Sequence, residues 1–328
     1  MRLALPVGIL DEHPTWSNRL AAELTARGVP FEKIDPSAHG FQPGERARRY
    51  SVIVNRVSPS SHTRGHGAAL FYAHAFLAYA EDLGIPVINP AAAYRAETSK
   101  AFQALLFERL GLRYPRTAVV NDPAQIDKIA GGFRFPVVVK PNIGGSGAGI
   151  VRFDSPEALE DEARGGRLGF GPDGVALVQE FLEPADGGIV RVEVLGGEYL
   201  YAIKIFRDIS GSFNLCPADI CRLPEAPPRG DLGACPVEAK PGLQVTRYDA
   251  PPAVIDQVRA LAREASIDVG GIEYLVGRED GRVYYYDINA TSNFVANAPE
   301  VLGFDPFPSF ADYIVRVATR SGERSNPA

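Results

Sequence analysis

The hydrophobic pattern of this chain changes character once. Up to about residue 92, short apolar runs alternate with longer amphipathic stretches. Residues 3–9, 50–55 and 85–89 predict buried strands, 30–34 a short extended segment, and 16–27 and 68–83 helices. Strand–helix alternation with apolar strands predicts a small parallel sheet covered by helices. A helix carrying Lys100 is predicted over 94–110, followed by an extended piece at 113–120. From Phe135 to about Asn293 the strands come in antiparallel pairs, at 137–140, 149–153, 176–181, 189–195, 198–206, 271–276 and 283–288. Gly196-Gly197 and Asp280-Gly281 supply hairpin turns. Helices at 156–163 and 252–265 interrupt the strands, and a terminal helix is predicted over 302–321. Residues 214–246 have no periodicity; a loop that long either caps an active site or is disordered.

Composition narrows the choice of class. With 328 residues the chain is long enough for two or three domains. The net charge of −6 provides no general attraction to nucleic acid or an anionic membrane, so neither is expected as a partner. The apolar start is broken by Pro6 and closed by Asp11 and Glu12, which suits a first buried strand rather than a signal peptide. No run approaches the ~20 apolar residues of a membrane helix. Cys216, Cys221 and Cys235 are odd in number and lack a CxxC or a nearby histidine, so zinc is disfavoured and a reduced, cytoplasmic protein is expected. Their clustering leaves room for a thiol-lined substrate pocket.

Two segments carry chemistry. In FPVVVKPNIGGSGAGIVRF, an apolar strand ends at Lys140, and a loop with Gly144, Gly145, Ser146 and Gly147 leads to a second strand. Backbone N–H groups can approach phosphate oxygens where no Cβ intervenes, and Lys140 adds a full charge. No GK[ST] closes the loop and Gly144 opens no helix, which excludes a Walker A loop and a dinucleotide fingerprint. In GGIEYLVGREDGRVYYYDINATSNF, alternation places Asp287 and Asn289 on one face of a strand, and the hairpin brings Glu273 alongside. Hard oxygen ligands converging in an apolar sheet suit Mg²⁺; solvent-facing polar residues are the plainer reading, against which Tyr284, Tyr285, Tyr286 and Ile288 argue. A third segment, VQEFLE, is a strand end able to present Gln179, Glu180 and backbone groups to a ligand edge.

Taken in order, GIPVINPAAAYRAETSKAFQALLFERLGLRYPRT, the glycine-rich hairpin, LVQEFLEP, IVRVEVLGGEYLYAIKIFRD and IEYLV…YYYDINATSNF resemble the ATP-grasp superfamily, in its glutathione-synthetase-like and ribosomal-protein glutamate-ligase branch. The resemblance implies an α/β N-terminal domain (1–92), a central ATP-grasp subdomain (93–183) and a C-terminal one (184–328), the latter two built on largely antiparallel sheets. It implies ATP held by Lys100, Lys140 and the 144–147 loop. Gln179, Glu180, Phe181 and Leu182 would meet the adenine, and Glu183 or Asp186 the ribose. Arg191 and Lys204 would face the γ-phosphate, with Asn214 nearby. Glu273, Asp287 and Asn289 would bind Mg²⁺ or Mn²⁺, two ions in all. The activity implied is ligation of a carboxylate to an amine through an acylphosphate, on an amino acid or small peptide. A small-molecule kinase and a non-catalytic nucleotide binder are the alternatives. Homodimers are compatible with the resemblance, although patterning reveals no interface. Glu273 and Asp287 reverse the family's usual Asp and Glu, and Ala290-Thr291-Ser292-Asn293 replaces a proline–glycine turn, leaving Ser292 and Asn293 as substrate donors. Arg56, after a strand of the first domain, is a candidate for the substrate carboxylate, with a surface arginine as the equal alternative.

Overall fold

The computed structural model describes residues 3–206, 213, 215–217 and 243–324. Asn214, Cys221 and Cys235 lie outside them. The N-terminal third contains β1 (Val7–Leu10), α1 (Asn18–Ala26), β2 (Phe31–Ile34), β3 (Val52–Asn55), α2 (Gly67–Asp82) and β4 (Val87–Ile88). All four strands are parallel, in the order β2-β1-β3-β4. Residues of β1 and β3 are buried throughout because helices cover both faces, which is why they read as unbroken apolar runs.

The helix expected over 94–110 is two helices, α3 (Ala91–Glu97) and α4 (Lys100–Arg109). The break follows from chemistry: Ser99 adopts an extended conformation and its hydroxyl accepts the Phe102 N–H, capping a new helix at Lys100. Next come β5 (Thr117–Val120), the single turn α5 (Ile126–Ile129), β6 (Val137–Pro141), β7 (Val151–Phe153), α6 (Pro156–Arg164) and β8 (Ala176–Glu180). The strands form an antiparallel sheet ordered β5-β8-β6-β7. α5 and α6 bury Ile126 and Leu159 against it.

A third, antiparallel sheet contains β9 (Gly188–Leu195), β10 (Glu198–Phe206), β11 (Gln244–Tyr248), β12 (Val269–Val276) and β13 (Val283–Asn289), ordered β11-β10-β9-β12-β13. The strand β11 begins inside the stretch expected to lack periodicity and is not anticipated from the pattern, because only two of its five residues are even half-buried and no clean alternation marks it. α7 (Pro252–Glu264) lies between β11 and β12, and α8 (Ala298–Leu302) and α9 (Pro306–Arg324) close the chain. One face of this sheet packs with β1, β3, α1 and α9 in a single apolar cluster that includes Val7, Leu24, Ile203, Phe294 and Phe310. The other face packs on α3, α4 and α7 through Phe107, Val258, Tyr274 and Ile288. Cys216 is disulfide-bonded, contrary to the reduced thiols expected. Among the described residues no helix is long and apolar enough to cross a membrane.

Candidate active site

The second and third sheets face each other across a cleft, and most of the expected site residues meet there. It is lined by Lys100, Lys140, Gly144, Gly145, Ser146, Gly147, Gln179, Glu180, Phe181, Leu182, Arg191, Glu273, Asp287 and Asn289. Cys216 is among the other lining residues, as are Val138, Ile150, Ile189, Leu275 and Tyr286. These last were not singled out from the sequence: apolar strand residues look alike whether they face a ligand or a core.

The glycine-rich loop joins the antiparallel strands β6 and β7. Gly147 has φ +73°, a left-handed conformation that suits glycine. At Gly149, also at φ +73°, a Cβ would come within 2.9 Å of Pro141 Cγ. Gly145 lies against the Pro59–Arg64 turn of the first domain, where a Cβ would meet Ser60 Cβ at 3.4 Å. The loop therefore bridges the cleft and the N-terminal domain.

Opposite the loop, Glu273 on β12 and Asp287 on β13 are register partners, and Arg191 on β9 is the register partner of Glu273 on its other side. Arg191 donates through Nη1 to Glu273 Oε1 at 3.0 Å, through Nε to Glu193 Oε1 at 2.6 Å and through Nη2 to Ser292 Oγ at 3.2 Å. Lys100 Nζ reaches Asp287 Oδ1 at 2.7 Å. The Asn289 amide lies 3.4 Å from both Glu273 Oε1 and Asp287 Oδ2. The Tyr286 hydroxyl donates to Glu273 Oε2 at 2.9 Å. Charges of both signs are thus interleaved in a buried place, and each shifts the others. Burial raises the Glu273 carboxyl above its ordinary range, against the pull of Arg191. At Asp287 burial is outweighed by Lys100 and Lys140, which hold the carboxyl below its ordinary range. At Lys140 burial, with Lys100 beside it, lowers the ammonium to about 8. Burial opposes the charge on Lys100 too, but Asp287 outweighs it and raises that pKa.

Several expected residues lie elsewhere, and Gln179 and Glu180 line the cleft with their side chains already engaged. Lys204 pairs in register with Val190, whereas Arg191 pairs with Ile203, so alternation sends Lys204 to the opposite face of the sheet from Arg191. There its ammonium binds Asp186 and lies 5.4 Å from the Tyr248 ring centroid. Asp186 and Glu183 do not line the cleft; Glu183 pairs with Arg152 at 3.6 Å. The Glu180 carboxylate accepts from the Arg134 backbone N–H at 3.0 Å, and Gln179 Nε2 donates to Thr117 Oγ1 at 2.8 Å. Arg56 is neither a surface arginine nor an open hook. It is 2% exposed, and its guanidinium donates to the Ser292 carbonyl at 2.8 Å and to Asn293 Oδ1. The three substrate candidates do meet one another, as a clamp between the first domain and the turn after β13.

Sequence reasoning missed Glu193, Glu97 and Gln103. Glu193 is fully buried, and its Oε2 has no partner. Glu97 accepts from the Ala290 N–H and from Thr291 Oγ1 at 2.7 Å. A charged residue at every second place of an otherwise valine-rich strand, as in Arg191-Val192-Glu193, was the available signal for the first.

Residues 97–214 match the RimK-like ATP-grasp domain family. That segment is similar to a RimK-like ATP-grasp domain. The matched segment spans α4 to β10 and supplies Lys100, Lys140, the glycine loop and Arg191 to the cleft. The chain is 30% identical over 200 residues to a probable alpha-L-glutamate ligase of Pseudoalteromonas atlantica, with 57% of this chain and 62% of that protein covered. A probable alpha-L-glutamate ligase of Parasynechococcus marenigrum is 28% identical over 173 residues, 52% of this chain and 34% of its own length. The chain therefore spans less than two thirds of these relatives. Beyond the RimK-like domain, the fold as a whole is shared with the ATP-grasp ligase PsnB, solved with a phosphomimetic variant of its minimal precursor, Mg and ADP. The TM-score is 0.64 at 18% identity, covering 96% of this chain and 99% of that one.

Proposed function

We propose that this protein is an ATP-dependent, ADP-forming carboxylate–amine ligase that acts on an amino acid or small peptide. One observation carries the reading: Lys100 and Lys140 meet Glu273, Asp287, Asn289 and Arg191 in a single cleft under a glycine-rich loop. A carboxylate is a poor electrophile until one oxygen is phosphorylated. In the proposed reaction a substrate carboxylate oxygen attacks the γ-phosphorus and ADP leaves. The amine nitrogen then attacks the acyl carbon, phosphate leaves, and the amine proton passes to solvent. Such a path asks the protein for charge neutralisation and alignment, and needs no nucleophilic side chain.

The donor set fits Mg²⁺. Two carboxylates and an amide lie within reach of one another, leaving other coordination positions to phosphate oxygens and water. Among the described residues no group of three or more His, Cys, Asp or Glu side chains is placed to hold an ion. When bound, Mg²⁺ would neutralise phosphate oxygens and polarise the γ-phosphorus. Lys100 and Lys140 would hold phosphate oxygens, Arg191 would face the transferred group, and the apolar wall of Val138, Ile150, Phe181 and Leu275 would take the base. Glu183 and Asp186 drop out of the ribose assignment and Lys204 out of the γ-phosphate one. Domain limits at 92/93 and 183/184 belong to the same proposal, whereas the Cys216 disulfide removes the reduced-thiol ground for a cytoplasmic location. Peptide or amino-acid substrates are supported by the relatives' names alone.

The test is ADP and phosphate release with a panel of carboxylates and amines. Equal amounts of both, dependent on the amine, support the ligase. A phosphorylated product without free phosphate would make the protein a kinase, and tight ADP binding without turnover a nucleotide binder.

A further inference from the structure

β13 is the last strand of its sheet, with β12 on one side only. Backbone groups on the open side of an edge strand have no ladder partner, and buried ones must find another. At Ile288 one side chain supplies both. Gln103 Oε1 accepts from the Ile288 N–H at 3.2 Å, and Gln103 Nε2 donates to the Ile288 carbonyl at 2.9 Å. The same nitrogen donates to the Ala96 carbonyl at 2.8 Å, tying the contact to α3. Gln103 is 1% exposed and does not line the cleft.

We propose that Gln103 is a positioning residue for the metal-binding strand, standing in for a missing neighbour strand so that Asp287 and Asn289 hold their aim. The inference rests on the metal reading above. Ile288 sits between Asp287 and Asn289, and its own side chain is 2% exposed in the core. Rotating that peptide would swing the side chains before and after it, because a strand's side chains are set by its pleat. The grip is repeated along the helices. Lys100, one turn before Gln103 on the same face of α4, holds the Asp287 carboxylate, and Glu97 holds Ala290 and Thr291. An apolar side chain at 103 would leave a buried N–H and a buried carbonyl unpaired. Glutamate would keep the acceptor and lose both donations.

The experiment uses Mn²⁺ as the probe, titrated against the full chain with ADP and read by the paramagnetic signal of the free ion. Gln103→Met, Gln103→Glu and Asp287→Asn are compared with wild type, alongside metal-free ADP binding and thermal melting. Outer partners of metal ligands are worth roughly 10–100-fold in metal affinity. Gln103→Met should raise half-saturating Mn²⁺ by about that factor while metal-free ADP binding stays as in wild type. Gln103→Glu should fall between, and it carries the test if the methionine variant does not fold. A lowered melting temperature with an unchanged Mn²⁺ curve would reduce Gln103 to an ordinary core amide and overturn the proposal. If Asp287→Asn also leaves the Mn²⁺ curve unmoved, the metal site itself is misplaced, a separate failure.

Discussion

Lys140 illustrates how burial and a like charge act on a cleft cation. Burial and the neighbouring Lys100 lower its pKa to about 8, so the bare protein holds this charge less firmly than a surface lysine would. A phosphate between the two ammonium groups would reverse that cost. Lys140→Met should therefore weaken ADP binding by roughly tenfold to a hundredfold, the worth of a charge-assisted hydrogen bond. Calorimetric titration checks this, and an unchanged affinity would remove Lys140 from the phosphate site. A second residue reports on stability rather than binding. His13 is stacked on Trp16 at 4.9 Å between centroids, and burial, with Arg64, His66 and Lys33 around it, lowers its pKa from 6.5 to about 4. Between those two values the unfolded chain holds a proton at this site that the folded chain does not. Stability at this site is thus complete above pH 6.5 and falls as the pH drops from 6.5 towards 4. His13→Gln should flatten that part of the stability–pH curve in urea unfolding.

Elements place these residues more tightly than their sequence spacing suggests. The Arg191 side chain, reaching from β9, lies over Gly271 of β12, and a Cβ there would overlap its guanidinium. Gly271→Ala should push Arg191 off Glu273 and Ser292 while leaving the strand ladder in place. The expected outcome is a fall in turnover of tenfold or more, by the scale of one lost electrostatic contact, with a much smaller change in nucleotide affinity. Steady-state kinetics beside an ADP titration separates the two, and equal losses in both would mean that the sheet had been distorted. Gly270 is similarly confined, since its Cβ would lie 2.8 Å from the Asn289 carbonyl. Glycines beside Glu273 thus serve close packing of the β12–β13 hairpin, not flexibility.

Across the whole molecule, the first domain is bound to the cleft by buried side chains. Asn89, at φ +57° after β4, accepts from the Asp268 and Val269 N–H groups, both at 3.0 Å, and donates to the carbonyls of Val269, at 2.8 Å, and Ala290. Arg56 holds Ser292 and Asn293 from the same side. Arg56 ends on the turn that follows β13, while Asn89 holds the start of β12 and reaches that turn through Ala290, so domain docking and the aim of the β12–β13 hairpin are coupled. Asn89→Ala removes four hydrogen bonds and leaves buried partners unpaired, which should cost about 3 kcal/mol in denaturant unfolding. A loss below about 0.5 kcal/mol, the scale of a surface substitution, would show that the apolar cluster alone joins the domains.

The sequence by itself determined the parts that depend on local order. Apolar runs and turns marked the strands. Alternation put Asp287 and Asn289 on one face. Lys140 followed by spaced glycines marked the loop. Tertiary structure decided what depends on contacts between distant residues. Lys204 and Arg191 both look like cleft cations in sequence, and only the β9–β10 register separates their faces. Arg56 resembles a ligand hook until Ser292 and Asn293, far along the chain, are seen to fill its guanidinium. Gln103 carries no local signature, because its meaning lies in an unpaired peptide on a strand that is remote in sequence. Periodicity records which side chains are buried; pairing across the fold records what each one is buried against.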